Sequence, residues 1–188
     1  MAARPMARGS NVELTREIPS LTGVVLGVRF ASGEPVLMDN IVVATLLCDA
    51  RSRVLSDRHV VFFNQLVEPD LSVAQLERVV GTDTEQVEVD LTGVPADVAR
   101  IVVVAYINEA LGQRRTLGQL REAAVRVLDL RDSSELVRSE NLAPSLRAET
   151  GLVLGELYRH TTGWKFKVVG QGYANGFEGM AADYGVPL

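Results

Sequence analysis

The 188-residue chain contains one cysteine and two histidines, and these shortages exclude several classes of site. Cys48 cannot form an intramolecular disulfide, and its apolar surroundings in the sequence predict a buried core residue. His59 and His160 belong to no zinc-binding motif. No stretch reaches the roughly 18 uninterrupted apolar residues of a membrane span, and residues 1–10 show no signal peptide. We therefore expect a cytoplasmic protein without a membrane span.

Basic residues are also scarce, with 19 Lys and Arg against 24 Asp and Glu, and only two of the basic residues are lysines. Residues 1–94 hold 8 basic and 13 acidic residues, whereas residues 95–188 hold 11 of each, so the excess acid lies in the first half. Affinity for phosphate depends on Lys and Arg contacts, and the absence of a basic cluster argues against nucleic-acid binding.

No enzyme signature is present, since the chain has neither a P-loop nor a nucleophile elbow. Residues 170–176 resemble a dinucleotide-binding turn, but Asn175 stands where that motif needs Gly or Ala. The twelve residues given after Gly176 are also too few to complete a βαβ unit. A glycine turn is the favoured interpretation, and we expect a protein that is not an enzyme.

Valine is abundant, with 28 residues against 4 Ile, and it favours strands. Val-rich runs between turn signals predict about nine strands, namely 21–30, 41–48, 60–63, 87–91, 101–107, a strand after a helical turn within 117–128, and strands near 136–142, 152–160 and 164–169. Residues 67–81 are predicted to form a long loop, and a short helix is predicted after Gly176. The pattern indicates a mainly β protein, a two-sheet β-sandwich with short helices including a C-terminal one.

Acidic residues beside the predicted strands are candidate metal ligands. Asp39, Asp49 and Asp57 flank the second and third strands, and Asp83 and Glu85 share one side of an extended segment. Calcium takes six to eight oxygen ligands, often from adjacent loops, and no EF-hand loop is present. From spacing alone, a solvated acidic loop and a metal site both remain open.

Several blocks of the sequence together resemble the TerD family of tellurium-resistance and stress proteins. They occur in family order and cover nearly the whole chain: Gly9 to Arg16, Ser56-Asp57, Val61 to Asn64, Glu85 to Leu91, Glu149-Thr150, Gly155 to His160, Trp164 to Phe166, Val169 to Tyr173 and Asp183 to Val186. The resemblance implies a single domain over 1–188, with 1–9 as a candidate disordered N-terminal extension. It also implies a cytoplasmic, non-enzymatic β-sandwich acting in stress responses, calcium binding through acidic loops, and partners among other Ter-family proteins in assemblies near the membrane.

The chain departs from the family pattern at its acidic positions. Arg29-Phe30 stands where the family has W-D, Ile41 replaces the second Asp of D-L-D-A-S, and residues 80–85 retain only Asp83 and Glu85 of an acidic loop. Losing carboxylates removes both ligands and the negative charge that attracts a divalent ion. The first hypothesis is therefore an interaction module whose calcium binding is weakened or lost.

Two alternatives remain. One is a calcium-binding module with a remodelled site, whose candidate ligands are Asp39, Asp57, Asn64, Asp83 and Glu85. The other is an enzyme or small-molecule binder, which would require polar residues to converge in an apolar pocket.

Overall fold

The computed structural model describes residues 5–108, 115–161 and 163–187, which form twelve strands and two α-helices. The strands are β1 (Pro5–Met6), β2 (Asn11–Glu13), β3 (Gly23–Ala31), β4 (Ile41–Cys48), β5 (Val60–Val61), β6 (Val73–Gln75), β7 (Glu85–Asp90), β8 (Arg100–Ile107), β9 (Glu122–Asp129), β10 (Glu135–Ser139), β11 (Gly151–His160) and β12 (Gly163–Tyr173). The helices are α1 (Pro35–Asp39) and α2 (Gly176–Tyr184), and three short 3-10 helices are Asp57–His59, Leu117–Gln119 and Ala143–Ser145.

Two six-stranded sheets contain all of these strands. Sheet 1 has the order β1-β10-β9-β3-β7-β6, and sheet 2 has the order β2-β12-β11-β8-β4-β5. Neighbouring strands are antiparallel except β1 and β10, which are parallel. The predicted mainly β, two-sheet architecture is confirmed.

The main core lies between the sheets because alternate residues of each strand point inward. In β3 the inward side chains are Val24, Leu26, Val28 and Phe30, none more than 5% exposed. They belong to one buried cluster with the inward residues of β8 in the other sheet. Burial of this shared apolar surface is what holds the two sheets together.

A second, smaller core lies on the outer face of sheet 2. Helix α2 covers part of that face, and its fully buried Met180 clusters with Val102 and Val104 of β8. The central strands β4 and β8 are therefore buried on both faces. That double burial explains their nearly continuous apolar sequence. Cys48 lies in this core, where burial raises the pKa of its thiol to about 12, in agreement with the predicted buried role.

The observed elements match the predicted ones through most of the chain, including the helical turn before β9 and the C-terminal helix. The predicted loop over 67–81 contains the strand β6, which the sequence did not indicate. Three residues are too few to show a period, and β6 forms because Val73 and Gln75 pair with β7 at the edge of sheet 1. The candidate extension 1–9 contains β1, while residues 1–4 lie outside the described residues.

Candidate functional site

Two of the five predicted metal ligands, Asp39 and Glu85, line one cavity of about 270 Å³. We call it the acidic cavity, and its other lining residues are Asn40, Ile41, Val42, Val43, Phe63, Gln75 and Asn108. It lies where the end of α1 and the start of β4 meet the edge strand β6 and its neighbour β7. The two carboxyl groups, 46 positions apart in sequence, are thus brought together by the fold.

The Asp39 side of the acidic cavity is set by the end of α1. The side-chain amide of Asn40 donates to the carbonyl of Val36 at 2.7 Å, and its backbone N–H donates to the carbonyl of Leu37 at 3.0 Å. The Asn40 carbonyl in turn accepts the backbone N–H of Asn108 at 2.8 Å. These bonds hold Asp39 at the cavity and tie α1 to the end of β8.

The Glu85 side is partly buried against β6. Gln75 Nε2 donates to Glu85 Oε2 at 3.4 Å, and burial raises the pKa of the Glu85 carboxyl group above its ordinary value. Gln75 Oε1 is buried and has no hydrogen-bond partner in the described part of the chain. An unpaired buried oxygen is costly, and a donor or a cation would satisfy it.

Asp83 does not line the acidic cavity, because Arg126 of β9 holds its carboxylate. Arg126 Nε lies 2.9 Å from Oδ1, and Arg126 Nη2 lies 2.9 Å from Oδ2, a two-pronged pair that is stronger than a single contact. Gln86 Nε2 adds a third donor at 2.8 Å. The Asp83 side chain is only 2% exposed and packs over Gly27, where a Cβ would collide with the carboxylate.

The remaining two predicted ligands lie elsewhere. Asp57 opens the 3-10 helix before β5 and lines a different pocket, beside Phe62 and Tyr106. Asn64 is exposed and lines neither that pocket nor the acidic cavity. The five candidates therefore do not all line one cavity.

Calcium requires six to eight oxygens, and the acidic cavity supplies two carboxylates with the amides of Asn40, Gln75 and Asn108. Ile41 contributes an apolar side chain in the same wall. The orphaned Gln75 Oε1 suits a cation, but the charge of the donor set is low. The residues present are thus a poor match for a tight calcium site.

A second metal-ligand group was not found from the sequence. One ligand atom each of His59, Glu68 and Asp70 lies within 4.8 Å of the others. Glu68 is 1% exposed, and its carboxylate accepts hydrogen bonds from the backbone N–H groups of Asp70, Ser72 and Val73 and from the Ser72 hydroxyl. These bonds fully account for the burial of Glu68 as the organiser of a turn. The spacing matches no metal motif, which is why sequence reasoning missed the group.

The comparisons with known proteins decide the family. The TerD domain family model matches residues 1–184. General stress protein 16U of Bacillus subtilis (strain 168) is 34% identical over 192 residues, covering 97% of each chain. The tellurium resistance protein TerD of Serratia marcescens is 32% identical over 189 residues, covering 96% of each chain. This chain belongs to the TerD family.

The TerD fold is confirmed by solved structures. The crystal structure of a homologue of telluride resistance protein (TerD) from Streptomyces coelicolor A3(2) superposes with a TM-score of 0.65. That match covers 86% of this chain and 95% of the other at 17% identity, so it supports the fold alone. The family model and the two relatives confirm the resemblance noted in the sequence. Those two relatives are named for stress response and for tellurium resistance.

Within residues 5–108, 115–161 and 163–187, no helix is long and apolar enough to cross a bilayer.

Proposed function

We propose that this TerD-family protein is a non-enzymatic, cytoplasmic stress-response protein that acts as an interaction module with weakened or lost calcium binding. The observation that carries the proposal is the ion pair of Asp83 with Arg126. A carboxylate held by a guanidinium and a side-chain amide has few lone pairs and little net charge left for a metal ion.

Withdrawing Asp83 from this pair would be unfavourable. The Arg126 side chain is 23% exposed, and it also lies 3.4 Å from Glu135. Moving Asp83 to a metal would break two strong charge-assisted bonds in a partly dry region, where such bonds matter most. The acidic cavity is then left with Asp39 and Glu85 as its carboxylates.

The alternative is a remodelled calcium site in the acidic cavity, and one observation favours it. Within the described residues, Gln75 Oε1 is buried without a hydrogen-bond partner, and it lies beside Glu85, a half-buried carboxyl group whose pKa burial raises. A cation there would satisfy both groups, with Asp39 and the asparagine amides as further ligands.

A calorimetric titration with calcium chloride separates these readings. We expect binding weaker than about 1 mM, or none, for the wild-type protein. Saturable binding near 10 µM or tighter, lost in Glu85→Gln and retained in Glu88→Gln, would establish the alternative. Glu88 is the matched control because it lies on β7 but not in the acidic cavity.

For partners, we propose other Ter-family proteins in a membrane-proximal assembly. Support comes from exposed apolar side chains between β5 and β6, where Phe63 is 53% and Leu71 is 77% exposed. Exposed apolar groups that cluster along one loop are typical of interaction surfaces.

Affinity capture from the native host tests the partner proposal. Wild-type bait should recover Ter-family proteins, and Leu71→Ser bait should recover at least severalfold less. Leu130→Ser, an exposed leucine at the turn after β9, is the control and should behave as wild type. Equal recovery by all three baits would contradict a role for this loop.

A further inference from the structure

We propose that the pocket beneath the C-terminal helix binds a small organic cation of the quaternary-ammonium type. Eight residues line this aromatic pocket: Ala44 of β4, Asp57, Val60, Phe62, Tyr106, Phe177, Val186 and Pro187. Its volume is about 270 Å³, which suits a ligand of a few heavy atoms. The proposal does not depend on calcium or on the partners proposed above.

Aromatic residues are scarce in this chain, yet several of them line the aromatic pocket. The chain has 5 Phe, 4 Tyr and 1 Trp, and three of these ten residues line this one cavity. The Tyr106 and Phe177 rings pack against each other, with centroids 4.6 Å apart and planes inclined by 35°, so a ligand meets their outer faces and edges, beside the Phe62 ring. Aromatic faces carry negative potential and attract cations, and cages of such rings bind methylated ammonium groups.

Three distant segments build the aromatic pocket. Tyr106 lies near the end of β8 on the outer face of sheet 2, and Phe177 is in the first turn of α2. Phe62 follows β5 in a tight turn closed by two backbone hydrogen bonds with Gln65, at 3.0 and 2.9 Å. All three rings are partly exposed, so a ligand has access to them.

The Asp57 carboxylate supplies the charge that selects a cation. Gln65 Nε2 donates to the carbonyl groups of Asp57 at 3.0 Å and Val60 at 2.7 Å, which fixes this segment against Phe62. Within the described residues, the Asp57 side chain has no hydrogen-bond or ion-pair partner, and no other lining residue carries a charge.

Asp57 is exposed, so its carboxylate stays solvated whatever the occupant; it repels an anion and adds no attraction for a neutral ligand. An inorganic cation would lose hydration to rings that offer few oxygen ligands. An ammonium group with an apolar surface satisfies both the carboxylate and the rings, which is why this ligand class fits.

The test is a titration followed by NMR chemical shifts, with choline chloride as the probe and EDTA present to remove divalent ions. The matched neutral analogue is 3,3-dimethylbutan-1-ol, in which carbon replaces the charged nitrogen. We expect saturable shifts at Phe62, Tyr106 and Phe177, with choline binding roughly five- to tenfold tighter than the alcohol. Equal affinity of the two compounds, or choline shifts confined to other residues, would overturn the proposal.

Two variants sharpen the test. Asp57→Asn should weaken choline binding about tenfold and leave binding of the alcohol unchanged, since the side chain keeps its shape and loses its charge. Phe177→Leu should weaken choline binding about threefold, because it removes one ring while retaining apolar contact. Asp97→Asn, an exposed carboxylate outside the pocket, should have no effect. If either pocket variant folds, as judged by its amide spectrum, and binds choline like wild type, the assignment is wrong.

Discussion

The acidic cavity and the aromatic pocket have the same volume, about 270 Å³, and both border β4, yet their chemistry differs. The first combines Asp39 and Glu85 with side-chain amides, and the second combines Asp57 with three aromatic rings. All three acidic residues were candidate ligands for one metal. The difference shows that the neighbours of a carboxylate, more than the carboxylate itself, determine which cation it can bind.

Asp83 is a third case, since its neighbour is a guanidinium. Only two positions separate it from Glu85, yet it lies on the outer face of sheet 1 in an ion pair, whereas Glu85 faces the acidic cavity. The contrast between the paired Asp83, the half-buried Glu85 and the unpaired Asp57 can be tested by changing the side chains around them or the carboxylates themselves.

The largest effect is expected from removing the partner of Asp83. Arg126→Ala leaves a carboxylate with a 2% exposed side chain without its counter-ion, and it should lower the free energy of unfolding by about 3 kcal/mol. Urea denaturation measures this change. Arg138→Ala removes an arginine with a 50% exposed side chain and should cost less than about 0.5 kcal/mol, so similar losses in both variants would contradict a special role for the Asp83 pair.

A smaller effect is expected from adding charge to the acidic cavity. Ile41→Asp places a third carboxylate in its wall and should tighten calcium binding by at least roughly tenfold, about 1.4 kcal/mol. Calorimetry measures the affinity. Val36→Asp, an exposed change outside the cavity, serves as the control. No gain in Ile41→Asp, or an equal gain in Val36→Asp, would show that carboxylate number in this cavity does not limit affinity.

The smallest expected effect is a pH-dependent change in stability when the half-buried Glu85 loses its charge. Burial raises its pKa in the folded state above the ordinary value of 4.5, so ionised Glu85 lowers stability at pH 7. This penalty shrinks as the pH falls through the folded-state pKa and is lost below 4.5, where the group is neutral in both states. Glu85→Gln should therefore stabilise the protein relative to wild type at pH 7 and lose that advantage near pH 4.

Thermal denaturation at both pH values measures this difference. Ile101→Val, a core change outside the acidic cavity that alters no ionisable group, should change stability by the same amount at pH 7 and pH 4. An advantage of Glu85→Gln that is equal at the two pH values would contradict the assigned burial effect.

The fold was largely predictable, and the site was predictable only in part. Alternation in β3 and the continuous apolar runs of β4 and β8 predicted strands because burial on one or both faces leaves a direct mark on sequence. The helix α2 was predicted from the spacing of Phe177, Met180 and Tyr184. The strand β6 was missed, since its formation depends on pairing with β7.

The sequence indicated which residue types could form a site, but it did not indicate which of those residues lie together in the fold. Asp39 and Glu85 were two of the five predicted ligands, and the fold brings these two to one cavity. The partner of Asp83, Arg126, is 43 positions away and carried no sequence signal. The aromatic pocket joins residues 62, 106 and 177, which no spacing rule connects.

The sequence by itself determined the mainly β architecture, the TerD membership and the depletion of acidic positions, because periodicity, family-like blocks and residue identity are properties of a linear chain. Only the tertiary structure decided that Asp83 is paired, that Glu85 is half-buried and that Asp57 faces aromatic rings. The reason is physical: the charge state and ligand preference of a carboxylate depend on burial and on neighbours within a few ångströms, and folding supplies both.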